Sequence, residues 1–189
     1  MKYYRLIDEL NKPEDRWFLK SLNVVDENKI SVWKFLTTTK LKLSNTDKLK
    51  MSVREGGRPL DFTFADFEVL VVNEKVAFLL SDEECQLMPV EIDNIKNGHT
   101  YFIAILLNSV ECVDEGKSVF EKWQTDDPIR PDLAGEFKSL YKLFVDTDKI
   151  GNNAIFRLGK SDNIIIINEN LKKQFELNGI SGIKFKEVT

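Results

Sequence analysis

The sequence holds one histidine and two cysteines, the residue types that most often carry nucleophilic or metal chemistry. His99 lies just before an apolar run that starts at Tyr101, so we interpret it as a turn or surface residue. A small enzyme that uses His99 as its base is the alternative. Cys85 and Cys112 have 26 residues between them, a spacing that fits neither a zinc knuckle nor a CxxC redox pair. We expect both to be small buried apolar residues, and we expect no metal and no cofactor.

Motifs that would mark a catalytic or nucleotide-binding site are missing from the sequence. It contains no GxGxxG, no P-loop, no HExxH and no GxSxG. With 31 acidic residues in 189, two carboxylates at a suitable spacing occur by chance. We therefore assign no acid/base pair, and nothing in these residues demands an enzyme.

Acidic and basic residues are segregated along the chain. Residues 28–58 hold eight basic and two acidic residues, a net +6, whereas residues 61–93 hold nine acidic and one basic, a net −8. Residues 111–136 add a net −5. The acidic clusters are either solvated loops or contacts for a basic partner. The candidate partner-binding residues, with Trp123 as an aromatic anchor, are Asp82, Glu83, Glu84, Asp114, Glu115, Trp123, Asp126 and Asp127.

Overall composition excludes two further classes of partner. The isoelectric point of about 5.2 is far from the basic value typical of nucleic-acid domains, so we expect no nucleic-acid binding. The longest apolar run, residues 101–107, is much shorter than the roughly 20 residues of a membrane helix. Charges at the N-terminus stand where a signal peptide needs apolar residues, so we expect a cytoplasmic protein.

Hydrophobic patterning predicts an α+β fold: a mixed β-sheet with a few short helices. Residues 2–10, 30–35 and 138–145 are predicted as strands, and residues 118–123 as a short amphipathic turn. Trp17 and Trp33 are expected in the core or half-buried.

One pattern occurs twice, a strand followed by Asn-Glu, a helix and another strand. Residues 69–72 precede Asn73-Glu74, and residues 164–167 precede Asn168-Glu169. Asparagine is a favoured N-cap, so a helix is predicted after each pair. Leu171, Phe175 and Leu177 are expected to share one face of the second helix, and Asn178-Gly179 to end it. The two units are expected to pack on one sheet.

From Val69 to Phe185 the order of these pieces resembles an immunity-protein family of bacterial polymorphic-toxin systems, of the myxobacterial type. The segments that carry the resemblance are VVNEKV (71–76), LMPV (87–90), YF (101–102), VECVD (110–114) with Ser118, IFRL (155–158), IIINENL (165–171) and GISGIKF (179–185). Residues 61–189 would form the family's α+β domain. Residues 1–60 would be a variable, lysine-rich region, packed with it in one compact unit.

The resemblance implies a protein that binds and neutralises a cognate toxin and performs no catalysis. An acidic face suits a basic toxin such as a nuclease, whose own substrate is phosphate. A monomer or weak dimer is expected. A general protein-interaction adaptor is the alternative to an immunity protein.

Overall fold

The computed structural model describes residues 1–9, 16–20, 23–25, 32–43, 48–65, 69–93, 95 and 98–189. The strands in these residues are β1 (Tyr3–Asp8), β2 (Phe18–Leu19), β3 (Asn23–Val25), β4 (Lys48–Met51), β5 (Val53–Glu55), β6 (Phe62–Ala65), β7 (Val69–Asn73), β8 (Cys85–Ile92), β9 (Tyr101–Leu106), β10 (Ser109–Val110), β11 (Val119–Lys122), β12 (Phe137–Lys142), β13 (Ile155–Leu158), β14 (Ser161–Asn168) and β15 (Ile183–Glu187). The α-helices are α1 (Glu74–Ala77) and α2 (Glu169–Leu177), and short 3₁₀ helices cover Val32–Leu36, Pro131–Leu133 and Thr147–Lys149.

The strands form two large sheets and two small ribbons. The six-stranded sheet has the order β3-β4-β8-β9-β7-β6, and the five-stranded sheet has the order β10-β13-β14-β1-β15. β11 pairs with β12, and β2 pairs with β5. Both large sheets are mixed, because β4–β8 and β10–β13 are parallel pairs among antiparallel ones. The prediction of an α+β fold with a mixed sheet and few short helices is confirmed.

Both large sheets are buried on both faces, which explains the continuous apolar runs of β7 and β14. Alternate residues of β7 point to opposite faces, so Leu70 and Val72 lie in one core while Val69 and Val71 lie in another. Side chains from both sheets meet in the first of these, which we call the middle core.

Two outer cores cover the remaining faces of the sheets. In the first outer core, residues of the N-terminal sixty such as Trp17, Leu19 and Phe35 pack against the six-stranded sheet. The second outer core covers the five-stranded sheet with side chains such as Cys112 and Val145. The N-terminal sixty residues also supply β1, which lies between β14 and β15. They therefore contribute to both sheets.

The two predicted Asn-Glu units are present, but on different sheets. β7 and β8 flank β9 in the six-stranded sheet, whereas β14 and β15 flank β1 in the five-stranded sheet. The expectation that they share one sheet is therefore wrong. Local sequence patterns predict the elements of each unit. They do not predict the strand that lies between the two strands of a unit, which is β9 in the first and β1 in the second.

The N-caps of the two units have matching geometry. The backbone N–H three positions on bonds to Oδ1 of the asparagine in both units, from Val76 to Asn73 at 3.4 Å and from Leu171 to Asn168 at 2.8 Å. Oδ1 of Asn73 also accepts from the N–H of Lys75 at 3.1 Å. Asn73 pairs with Tyr101 of β9, and Asn168 pairs with Tyr3 of β1. The predicted N-caps are confirmed, and the helix predicted after each Asn-Glu pair begins there.

Several local predictions can be compared with the structure. The predicted strands at residues 2–10 and 138–145 correspond to β1 and β12. Residues 30 and 31 lie outside the described residues, and Val32–Leu36 form a 3₁₀ helix that buries Phe35, so the strand predicted there is wrong. Alternation over so few residues cannot separate a strand from one tight helical turn.

Two further predictions fail for geometric reasons. Residues predicted as a turn form β11, whose side chains alternate between exposed and half-buried as in a strand. Leu177 is 80% exposed, because six positions after Leu171 a helical residue has rotated to the opposite face. Leu171 and Phe175 are buried as expected, and Trp17 lies in the first outer core.

A buried carboxylate, Asp61, joins the two units. Its Oδ1 accepts from Nδ2 of Asn73 at 2.6 Å, and its Oδ2 accepts from the backbone N–H and the hydroxyl of Ser181 at 2.9 and 2.7 Å. Ser181 lies between α2 and β15, so one side chain connects the N-cap of α1 to the second unit. Burial raises the pKa of Asp61, but these hydrogen bonds and Lys75 outweigh it, and the pKa is lowered overall.

Replacing this carboxylate by an amide should destabilise the fold in a pH-dependent way. A carboxylate whose pKa is lower in the folded than in the unfolded state, where it is about 3.9, stabilises the fold at a pH above the unfolded-state pKa. This stabilisation is lost as the pH falls through the folded-state pKa. Asp61→Asn should therefore cost about 1 to 3 kcal/mol at neutral pH, and the gap to wild type should narrow below about pH 4. Urea unfolding across this pH range measures the gap. Asp82→Asn, at an exposed site, is the control, and a gap at Asp61 that does not change with pH would contradict the assignment.

Candidate functional site

The eight candidate contact residues lie at three places in the fold. Asp82, Glu83 and Glu84 form the turn between α1 and β8, and Asp114 and Glu115 lie between β10 and β11. Trp123, Asp126 and Asp127 lie in the connection between β11 and β12. We call the first group the α1–β8 turn and the last group the hairpin loop.

Glu84 is engaged inside the protein. Its Oε1 accepts hydrogen bonds from the backbone N–H groups of Ala154 and Ile155, at 2.5 and 3.4 Å. These residues start β13 in the other sheet. Glu84 therefore ties the α1–β8 turn to the five-stranded sheet.

Asp114 and Glu115 also have partners within the molecule. Oδ1 of Asp114 accepts from the backbone N–H groups of Gly116 and Lys117, at 3.1 and 3.2 Å. The Lys117 side chain, 2.9 Å from Oδ2, is the main cause of a lowered Asp114 pKa. Glu115 forms an ion pair with Lys122 at 2.6 Å.

Trp123 and Asp127 are brought together by Lys138. Its Nζ lies 4.7 Å from the centre of the Trp123 ring and 3.9 Å from Oδ2 of Asp127. Oδ1 of Asp127 accepts from the backbone N–H groups of Ile129 and Arg130, both at 2.9 Å, and these bonds lower the pKa of Asp127. The hairpin loop is thus held in shape by one of its own carboxylates.

Three of the candidate carboxylates stay open to solvent. Asp82, Glu83 and Asp126 are exposed, and within the described residues their side chains make no hydrogen bond or ion pair.

Glu84 contacts the start of β13, whereas the β11–β12 hairpin is joined beyond the other end of that strand, where Phe137 donates its N–H to the Lys160 carbonyl at 3.0 Å. The α1–β8 turn and the hairpin loop therefore meet opposite ends of β13.

An exposed apolar residue lies within five positions of each open carboxylate in the sequence, and sequence reasoning missed both of these apolar residues. Phe78, the C-cap of α1, is 89% exposed, and Ile129 in the hairpin loop is 80% exposed. α1 has four residues and buries Val76, which leaves Phe78, two positions on, facing away from the core. The offset of two residues from Val76, a rotation of about 200° around a helix, is the signal that could have identified Phe78.

His99 is attached to the start of α1. Its Nδ1 lies 2.5 Å from Oε1 of Glu74, and Oε2 of Glu74 accepts from the backbone N–H of Thr100 at 2.9 Å. Partial burial raises the pKa of Glu74, but the hydrogen bonds from His99 and the backbone lower it overall. This geometry suits the turn-stabilising role expected for His99.

The two thiols are buried in different cores. Cys85 lies in the middle core and Cys112 in the second outer core, and both are free. Burial raises the pKa of Cys85 to about 12 and that of Cys112 to about 11, which leaves both thiols protonated and unreactive at neutral pH. The prediction of small buried apolar residues is confirmed.

Two features are absent from the described part of the chain. None of its helices is long and apolar enough to cross a membrane. Its His, Cys, Asp and Glu side chains form no group of three or more that could hold a metal ion.

The different environments of Glu83 and Glu84 predict different effects on stability. Glu84→Ala should cost about 1 to 3 kcal/mol, because it removes the acceptor for two backbone N–H groups of the other sheet. Glu83→Ala, one position away at an exposed site, should stay within about 0.5 kcal/mol of wild type. Glu84→Gln keeps an oxygen acceptor and should recover part of the loss. Urea unfolding compares the three variants, and equal stabilities for both alanine variants would rule out the internal role of Glu84.

Comparison with known proteins gives a family for the chain. A search of curated proteins finds no match. A model of the Immunity protein family (Imm11) matches residues 12–189, which is nearly the whole chain. The match extends beyond the segments that carried the resemblance and includes most of the N-terminal sixty residues. The chain therefore belongs to the Imm11 family of immunity proteins.

Proposed function

We propose that the protein binds a cognate toxin of a bacterial polymorphic-toxin system in a one-to-one complex and neutralises it by direct contact, without catalysis. Family membership supports the toxin-immunity role. The observation that carries the proposal is the segment from the end of α1 to β8, where the strongly exposed Phe78 is followed, four and five positions on, by two exposed carboxylates that the described part of the protein does not use.

Phe78 has the chemistry of an interface anchor. An isolated aromatic ring at 89% exposure gains most of its transfer free energy only when a partner covers it. Asp82 and Glu83 follow it within five positions and are exposed. A partner that fits this surface has an apolar pocket with basic residues at its rim.

The charge of this surface favours a basic toxin, and a nuclease is the class we propose. A nuclease presents basic side chains because its substrate is a chain of phosphates. Carboxylates on the immunity protein compete for those side chains and speed association. Asp126 and Ile129 in the hairpin loop offer a second contact of the same chemistry.

The remaining candidate residues hold the surface in shape in this proposal. Glu84 anchors the α1–β8 turn, Asp127 shapes the hairpin loop and Lys138 restrains Trp123. Asp114 and Glu115 brace the segment before β11. The proposed contacts all lie in residues 61–189, with residues 1–60 as the variable part of the same compact unit. We place the encounter with the toxin in the cytoplasm.

Charge reversal at the α1–β8 turn should weaken protection. Asp82→Lys with Glu83→Lys should raise the dissociation constant for the toxin about tenfold or more, and Phe78→Ser should do the same by removing the apolar anchor. The protein tested as the toxin is the product of the gene immediately upstream, co-expressed with each variant. Survival of the cells and co-purification of the pair are the two readouts.

Matched variants separate this surface from a general charge effect. Asp93→Lys with Asp148→Lys makes the same change in net charge at two other exposed carboxylates and should protect like wild type. His99→Ala should also protect, because no catalysis is involved. If the neighbouring gene product leaves growth unaffected and forms no complex, the toxin-binding role is refuted. If both double charge reversals weaken protection equally, the assignment of binding to the α1–β8 turn is refuted.

A further inference from the structure

A groove of about 800 Å³ lies along β8. Leu41 and Leu43 of the N-terminal sixty residues line it, together with Leu87, Pro89 and Val90 of β8. The size and the apolar lining match those of typical ligand grooves.

Part of β8 borders the groove without a neighbouring strand. β8 pairs with β9 from Cys85 to Val90, but its pairing with β4 starts only at Val90. Within the described residues, the edge of β8 from Cys85 to Pro89 that faces away from β9 thus has no strand beside it.

The hydrogen-bond pattern shows which backbone groups face that edge. Leu107 donates its N–H to the carbonyl of Glu84 at 2.8 Å, so the even-numbered residues of β8 bond to β9. The N–H and C=O of Leu87 therefore point the other way, along the open edge. A single N–H and C=O pair of this kind can receive one residue of an added strand.

One wall of the groove is fixed by a side chain. The Gln86 amide accepts from the backbone N–H of Leu41 at 2.7 Å and donates to its carbonyl at 2.8 Å. This two-bond bridge satisfies the backbone of Leu41 and holds residues 41–43 beside the groove.

The groove is positively charged. Lys42 and Lys48 line it, both are exposed, and neither forms an ion pair in the described part of the chain. Glu91, the acidic residue of the lining, is paired with Lys50 at 3.2 Å. Two lysines without partners above apolar walls are complementary to a ligand that is both anionic and apolar.

We propose that this groove binds an extended acidic segment of a partner polypeptide, in which carboxylate side chains alternate with leucine-like ones. The open edge of β8 favours a polypeptide over a fatty acid, because only a peptide backbone can pair with both the N–H and the C=O of Leu87. Alternate residues of an extended chain point to opposite sides, so one set reaches the apolar walls and the other the lysines. The proposal is independent of toxin binding at the α1–β8 turn.

A synthetic peptide tests the groove directly. The probe is a fluorescein-labelled heptapeptide of alternating glutamate and leucine, and its dissociation constant is measured by fluorescence anisotropy on the full chain. Saturable binding is expected, together with weakening at higher salt. Lys42→Glu with Lys48→Glu should raise the dissociation constant at least about tenfold, and should favour the counterpart peptide with lysine in place of glutamate. Leu43→Ser should weaken binding of both peptides.

Controls keep the proposal falsifiable. Lys184→Glu with Lys186→Glu makes the same charge change on β15 of the other sheet and should bind the acidic peptide like wild type. Circular dichroism confirms that each variant is folded. In an amide NMR spectrum, the acidic peptide should shift the Leu87 resonance. Absence of saturable binding to the wild-type chain would overturn the proposal, as would equal weakening by both lysine double variants or an unshifted Leu87 resonance.

Discussion

The carboxylate of Asp61 is the buried polar contact on which the alignment of the two sheets near α1 depends. Apolar packing in the middle core attracts the sheets but has little direction, so it tolerates sliding. The hydrogen bonds of Asp61 to Asn73 and Ser181 are directional and buried, and they allow one alignment. Arg16 has a similar role, because its guanidinium donates to Asp8 of β1 at 2.8 Å and to Thr63 of β6 at 3.0 Å. The N-cap of α1, and with it the α1–β8 turn, is placed by these contacts.

The two Asn-Glu units share a scaffold but differ where function is proposed. In both, the glutamate that follows the N-cap donates its backbone N–H to the residue before a tyrosine: Glu74 to Thr100 at 3.1 Å, and Glu169 to Lys2 at 2.9 Å. The helix of the second unit continues for nine residues, whereas that of the first ends after four. Each helix ends near an exposed apolar residue, Phe78 in the first unit and Leu177 in the second. The acidic turn that follows α1 has no counterpart after α2, where Asn178 and Gly179 come next.

The sequence was sufficient for features set by neighbouring residues. The strands β7 and β14 and the caps at Asn73 and Asn168 depend on apolar runs and on a side chain that reaches a nearby N–H. The roles of the acidic clusters depend on distant partners, as in the bond between Glu84 and Ala154, 70 positions apart. No local pattern distinguishes Glu84 from Glu83. Strand β11 was missed because apolar and polar residues do not alternate along it: its exposed positions hold Val119 and Glu121, and its half-buried positions hold Phe120 and Lys122.

Charge segregation along the chain survives folding at the proposed surfaces. β4 from the basic segment lies beside β8 from the acidic one, yet the ion pair between them in the described residues is that of Lys50 with Glu91. Lys42 and Lys48 therefore keep their charge at the groove, and Asp82 and Glu83 keep theirs at the α1–β8 turn. Self-neutralisation would have lowered the electrostatic energy of the isolated molecule. The unpaired lysines at the groove and the unpaired carboxylates at the α1–β8 turn instead orient an approaching charged partner. Each surface attracts charges of the opposite sign and repels charges of its own sign.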